Sequence, residues 1–170
     1  MKKMIMLFIL CFSFSFADTV WLAAGTSASV DLGSGYYGGD VDLDDGGLEI
    51  GYTRMLKQDG KMGWGLGGTY HLAAMGEDGF EAKFLTLYGL GTHSLSNEMG
   101  VWFGLGLGLP QGDIDEGDAG LAYSFGVMYN LNEKMILGLG YTVNSTSISE
   151  SGYSQDFDFS RMTFNFGYRM

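Results

Sequence analysis

Cysteine, proline and long apolar runs are scarce in this chain, and each scarcity excludes something. Cys11 and Pro110 are the single residues of their types, against 29 glycines. One thiol closes no disulfide within the chain and builds no cysteine-based metal site. No apolar stretch reaches the roughly 20 residues that a membrane-spanning helix needs, so a membrane reading has to run through strands closed into a barrel. Glycine at this frequency disfavours helices. A content of 46% hydrophobic and 15% aromatic residues excludes disorder, because that much apolar surface has to be covered by something.

The N-terminal residues stand apart. Lys2 and Lys3 precede an apolar stretch over 4–16, which Ser15, Phe16 and Ala17 bring to a close. This layout predicts a secretory signal peptide, 1–17, cleaved after Ala17. Cys11 leaves with it, and Leu10 occupies the place where a lipoprotein signal would need a small residue. Residues 18–170 are expected to form one domain.

The rest of the chain alternates. Met162, Phe164, Phe166, Tyr168 and Met170 fall at every second position, with Arg161, Thr163, Asn165, Gly167 and Arg169 between them. A period of two is the mark of a strand with unlike faces. Eight such segments are read along the chain: 20–30, 47–55, 62–72, 80–92, 99–109, 120–131, 135–146 and 157–170. In 99–109 one face is Met99, Val101, Phe103, Leu105, Leu107 and Leu109, and the other is glycine apart from Trp102. A soluble meander barrel would turn those leucines inward. Bulk on one face and glycine, serine, threonine and asparagine on the other suit a barrel with lipid outside. Connections alternate between short polar turns and longer acidic or glycine-rich links. The expected fold is therefore all-β: an eight-stranded antiparallel up-and-down transmembrane β-barrel with short periplasmic turns and longer acidic extracellular loops. Segment 80–92 is irregular, since Leu85 and Leu87 share a face with Glu81 and Lys83; a bulge that switches the face is expected there.

Without Lys2 and Lys3 the chain carries 7 basic and 20 acidic residues, a net charge of −13. The predicted long loops hold fourteen of the carboxylates and no lysine or arginine. Such loops repel polyanions, so nucleic acid is excluded as a partner. Glu49, Glu81, Lys83 and Arg161 are assigned to inward faces near the loop ends of their strands. Unpaired charges in a narrow lumen are costly, so pairing among these four is expected, either as a static plug or as a gate whose pairs exchange. Asp40, Asp42, Asp44 and Asp45 alternate as in a calcium loop, but the extra aspartate displaces the glycine and Gly51 stands where a bidentate glutamate belongs. Weak, diffuse cation contact is the expectation, with no specific metal site and no cofactor.

Two further signals are discarded. Gly63, Gly65 and Gly68 fit a dinucleotide-binding spacing, yet they lie inside a strand with no helix to meet a phosphate. His93, followed by Ser94, Ser96, Asn97 and Glu98, contains the residue types of a hydrolytic site, but it falls on a short turn. His71 stands alone near the outer end of its strand and reads as a rim or lumen residue. No enzymatic activity is expected.

Taken together, the signal, strand count, loop asymmetry and terminal strand make the chain from 18 to 170 resemble the small outer-membrane barrels of the OmpA/OmpX type. No sequence-specific motif carries the likeness. It implies that Phe164, Phe166, Tyr168 and Met170 form the signal read by the barrel-insertion machinery, with Met170 in place of the usual final aromatic, and that Glu49, Glu81, Lys83 and Arg161 resemble the charged lumen network of such barrels. The expected function is a non-enzymatic, monomeric outer-membrane protein with a filled lumen, set in lipid and lipopolysaccharide and displaying acidic loops for adhesion or ligand contact. A narrow pore gated by the lumen charges and a lipid-modifying enzyme are the alternatives.

Overall fold

The computed structural model describes residues 18–33, 38–77, 80–150 and 153–170; the expected signal peptide lies outside them. Among these residues there are ten strands: β1 (Asp18–Asp31), β2 (Asp40–Leu43), β3 (Leu48–Asp59), β4 (Met62–Ala73), β5 (Met75–Glu77), β6 (Phe80–Ser94), β7 (Met99–Gly112), β8 (Gly120–Asn130), β9 (Met135–Glu150) and β10 (Tyr153–Arg169). Eight of them form an antiparallel ring in the order β1-β3-β4-β6-β7-β8-β9-β10, which closes when β10 pairs with β1. The short strands β2 and β5 prolong β3 and β4 beyond local interruptions, β2 against β1 and β5 against β6. Asp45 and Gly76 bridge the two extensions.

The pleat sorts side chains as the alternation predicts. Phe103, Leu105, Leu107, Leu121, Phe125, Leu139 and Phe164 are among the large apolar groups exposed on the outer face. An exposed band of this kind is far larger than a water-soluble monomer tolerates. Inside, Trp102 faces the lumen with Gly104, Ser124, Thr142 and Thr163.

Wall length is the main departure from expectation. The link expected over 147–156 is sheet almost throughout, with β9 and β10 paired from Glu150↔Tyr153 to Met135↔Tyr168. The reason lies in the sequence on either side. Ser145, Ser147, Asp156 and Asp158 alternate with Thr146, Ile148, Phe157 and Phe159, so the period of two simply continues. What changes is its sense. On β10 the odd positions point inward from Phe157 to Gly167, but below Arg161 they are small or polar, and above it they are phenylalanine.

That inversion recurs at one level around much of the barrel. Outward groups change from Met162 to Ser160 on β10, from Tyr141 to Ser145 on β9, from Leu85 to Lys83 on β6 and from Leu22 to Ser29 on β1. Register brings the changes on β1, β9 and β10 to within one row of one another, with Val143↔Ser160, Ser145↔Asp158 and Ser160↔Ser29. On β1 the change coincides with a bulge between Gly25 and Ser27, which passes the inward role from odd positions (Ala23) to even ones (Ala28, Val30). Below this level the barrel is greasy outside and small or polar inside, as lipid requires. Above it, the polarity is that of a water-soluble protein.

Candidate functional site

Three features follow one another along the axis: an apolar cluster in the loop half, a charged lock at the level of inversion, and a cavity in the turn half.

The cluster consists of Ala28, Val30, Leu43, Met75, Ala82, Phe84, Ile114 and Phe159, all buried, with Leu32, Phe80, Ile148 and Phe157 packed against it. Phe84 and Phe159 have no exposed surface, and their rings tilt together at 5.5 Å between centroids. Phe80 and Phe157 each stack against Phe159. Each fully buried phenylalanine contributes about 2–3 kcal/mol. Ile114 is supplied by the link between β7 and β8, so the upper lumen is filled from above as well as from the wall.

Directly beneath lies the lock. Arg161, from β10, is almost fully buried, and its Nη2 sits 2.5 Å from Oε2 of Glu49 on β3. The two opposite charges form a buried ion pair. Nη1 donates to the carbonyl oxygen of Gly46 at 3.2 Å. His71, on β4, places Nε2 3.3 Å from the same Glu49 oxygen and sets its ring edge-on to Phe84. Gly46 reaches the lumen because the chain between β2 and β3 folds inward onto Gly25. A Cβ on Gly25 would lie 2.0 Å from the Gly46 oxygen, so only glycine permits the approach.

Glu81 and Lys83 are not part of this lock, contrary to the sequence expectation. They pair with each other at 3.2 Å on the outer face, with the Glu81 side chain 63% exposed. The expected bulge in this strand is also absent, since β6 pairs with β7 without interruption from Ala82 to Ser94. The inward residues are Ala82, Phe84, Thr86 and Tyr88. Charge in this barrel does not mark the lumen everywhere; above the inversion it marks the outside. His71, set aside as solitary in the sequence, is the third member of the lock. Its signal was the register that pairs it with Glu49.

Below the lock a cavity of about 90 Å³ extends from Glu49 to Thr92 and Met128, which are each two residues from the ends of β6 and β8 at the short-turn rim. Trp21, Tyr88 and Trp102 supply aromatic surface; Thr53, Thr69, Thr142, Thr163, Ser124 and Asn165 supply hydroxyl and amide groups. Two hydrogen bonds cross the lumen, Thr53 Oγ1 with the Tyr88 hydroxyl at 3.0 Å and Thr86 Oγ1 to Asn144 Oδ1 at 3.0 Å. The indoles fit because glycines face them. A Cβ on Gly126 or Gly140 would come within 2.7 Å of Trp102, and one on Gly167 within 2.5 Å of Trp21.

Comparison with known proteins agrees with this architecture. No family model matches the chain, and no curated protein matches it in sequence. Among solved structures, Neisserial surface protein A superposes with a TM-score of 0.57 at 12% identity, covering 91% of this chain and 97% of its own. Ail, the attachment invasion locus protein of Yersinia pestis, does so with a TM-score of 0.57 at 14% identity, covering 91% and 99%. The fold is that of small outer-membrane barrels.

The remaining sequence expectations fall as follows. On β10, Met162, Phe164 and Tyr168 project outward and exposed, as half-buried Phe166 does by the alternation, while the strand pairs with β1 from Arg169 upward. The backbone N–H of Met170 donates to Asp18 O at 2.8 Å. Asp40, Asp42 and Asp44 are exposed, and Asp45 Oδ1 accepts from the Gly47 amide at 2.8 Å. Among the described residues no group of three or more metal-ligating side chains converges. His93 Nδ1 faces the Met62 sulfur at 3.0 Å, and Ser96 Oγ accepts the Glu98 and Met99 amides. That serine holds the turn.

Proposed function

We propose that this chain is an integral outer-membrane protein whose barrel is permanently closed, with its short turns in the periplasm and its polar upper wall held outside the lipid as a display surface. The observation that carries this reading is the apolar cluster. A buried ion pair such as Glu49–Arg161 is about break-even against an apolar replacement, so the lock by itself is a weak closure. Several fully buried apolar side chains above it are net favourable. A pore gated by the lock alone would still meet the cluster in series.

The displayed surface is regular. Ser145, Asp158, Asp31 and Asp40 are cross-strand neighbours on β9, β10, β1 and β2, and Ser160, Ser29 and Asp42 form the next row. Like charges opposite one another destabilise a sheet, so cationic partners or diffuse divalent cations would relieve the row. Contact with basic surfaces is the adhesive role this wall supports. The names of both fold neighbours, a surface protein and an attachment protein, accord with it. Lipid and lipopolysaccharide surround the apolar band, the barrel acts as a monomer, and the terminal strand with Phe164, Phe166, Tyr168 and Met170 is what the insertion machinery reads.

Planar-bilayer conductance of the refolded protein, with a heat-dependent gel shift to confirm folding, tests this reading. No steady current is expected from the wild type or from Arg161→Met. A steady current from folded wild type would overturn the closed barrel.

A further inference from the structure

The cavity in the turn half has no role in a closed display barrel, yet it is built rather than left over. Its two indoles each rest one side on a glycine wall, Trp102 on Gly126 and Gly140 and Trp21 on Gly167, with both rings lining the cavity. The hydroxyls of Thr53, Thr69, Ser124 and Thr142 line the same space. Its upper end is bounded by Glu49, whose charge is already met by Arg161. No other lining residue is ionisable at neutral pH, so the chemistry offered is neutral: aromatic faces for C–H groups and hydroxyls for hydrogen bonding. A cavity of about 90 Å³ has room for several waters, since about 10–15 Å³ of such space already holds one. Pockets of this make-up, concave and mostly apolar with a few convergent polar groups, are what small ligands occupy.

We propose that the turn half of the lumen is a blind binding pocket, entered from the short-turn rim, for a small neutral polyol of glycerol size. Carbon-bound hydrogens lie against Trp21 and Trp102, and the hydroxyls replace cavity water on the threonines and Ser124. The blindness of the pocket rests on the closed-barrel reading; occupancy does not.

Trp64 provides an internal control, because it is the third tryptophan and is exposed on the outer face. Indole N–H resonances of the ¹⁵N-labelled refolded protein are followed while glycerol, and separately erythritol, is added. Saturating shifts of Trp21 and Trp102 with Trp64 unmoved are expected, together with their loss in Thr142→Leu and in Ser124→Leu, two independent ways of filling the cavity. Linear movement of all three indoles, no movement, or saturation that persists in both filled variants overturns the proposal and leaves a pocket of water. Conductance of the same sample separates the two ideas: a current with saturable shifts overturns the closed barrel and keeps the polyol site.

Discussion

The two halves of this barrel are made of the same strands and solve opposite problems. In the turn half, lipid takes the apolar side chains, so the lumen is left to glycine, threonine and serine around two indoles. In the loop half, the wall is polar, and Phe84, Phe159, Met75 and Ile114 fill the lumen as they would in a soluble core. One backbone alternation serves both, and only the assignment of residues to its phases is exchanged. The solvent outside thus determines what is available to fill the inside.

Substitutions that separate the halves sharpen this contrast. The largest effect is expected at their junction. Glu49→Ala leaves the Arg161 guanidinium buried without its carboxylate and costs about 3–5 kcal/mol, read as a shift of the urea midpoint of the protein refolded in lipid vesicles. Replacing both partners, as Glu49→Leu with Arg161→Met, is expected to recover most of that loss; no recovery would mean that the pair itself holds the junction. Phe159→Ala removes a fully buried ring from the loop half and costs about 3 kcal/mol. In the same titration Phe164→Ala, a lipid-facing change five positions along β10, is expected to cost clearly less, since lipid fills the space the ring vacates. Equal costs would erase the distinction between halves. Thr86→Val strips the buried Asn144 of its donor and costs about 1–2 kcal/mol. Smallest are the outer-wall charges. Lys83→Ala changes stability by less than about 1 kcal/mol because its pair with Glu81 is exposed. Asp31→Asn gains a few tenths at low salt by relieving the carboxylate row, roughly the size of one cross-strand pair, and the gain fades as salt is added.

Much of this was legible in the sequence, within a definite limit. Eight strands and their outward faces follow from a period of two over stretches such as 99–109 and 162–170, because alternation is local. Glu49 and Arg161 were identifiable as lumen residues for the same reason. The assignment of Glu81 and Lys83 failed because it carried one rule, polar inside, past the level where lipid ends. The signal that corrects it was present: on β10, phenylalanine moves from even positions at Phe164 and Phe166 to odd ones at Phe157 and Phe159 with no bulge to cause it. The bulge after Gly25 conceals the same change on β1. The recruitment of Ile114 and the inward fold of Gly46 onto Gly25 depend on contacts between distant segments, which periodicity does not encode.

The closure of β1 on β10 has a consequence in time rather than in stability. Thr19 pairs with Arg169, partners 150 positions apart in the chain, so the seam forms only after the whole stretch between them is in hand. Contacts of such separation are slow to form. Until they do, two long strand edges present unpaired amides and carbonyls, the most aggregation-prone surfaces a sheet has. The barrel's two margins are thus made far apart in time. The interval between them is the period in which the chain most needs a companion to occupy its open edge.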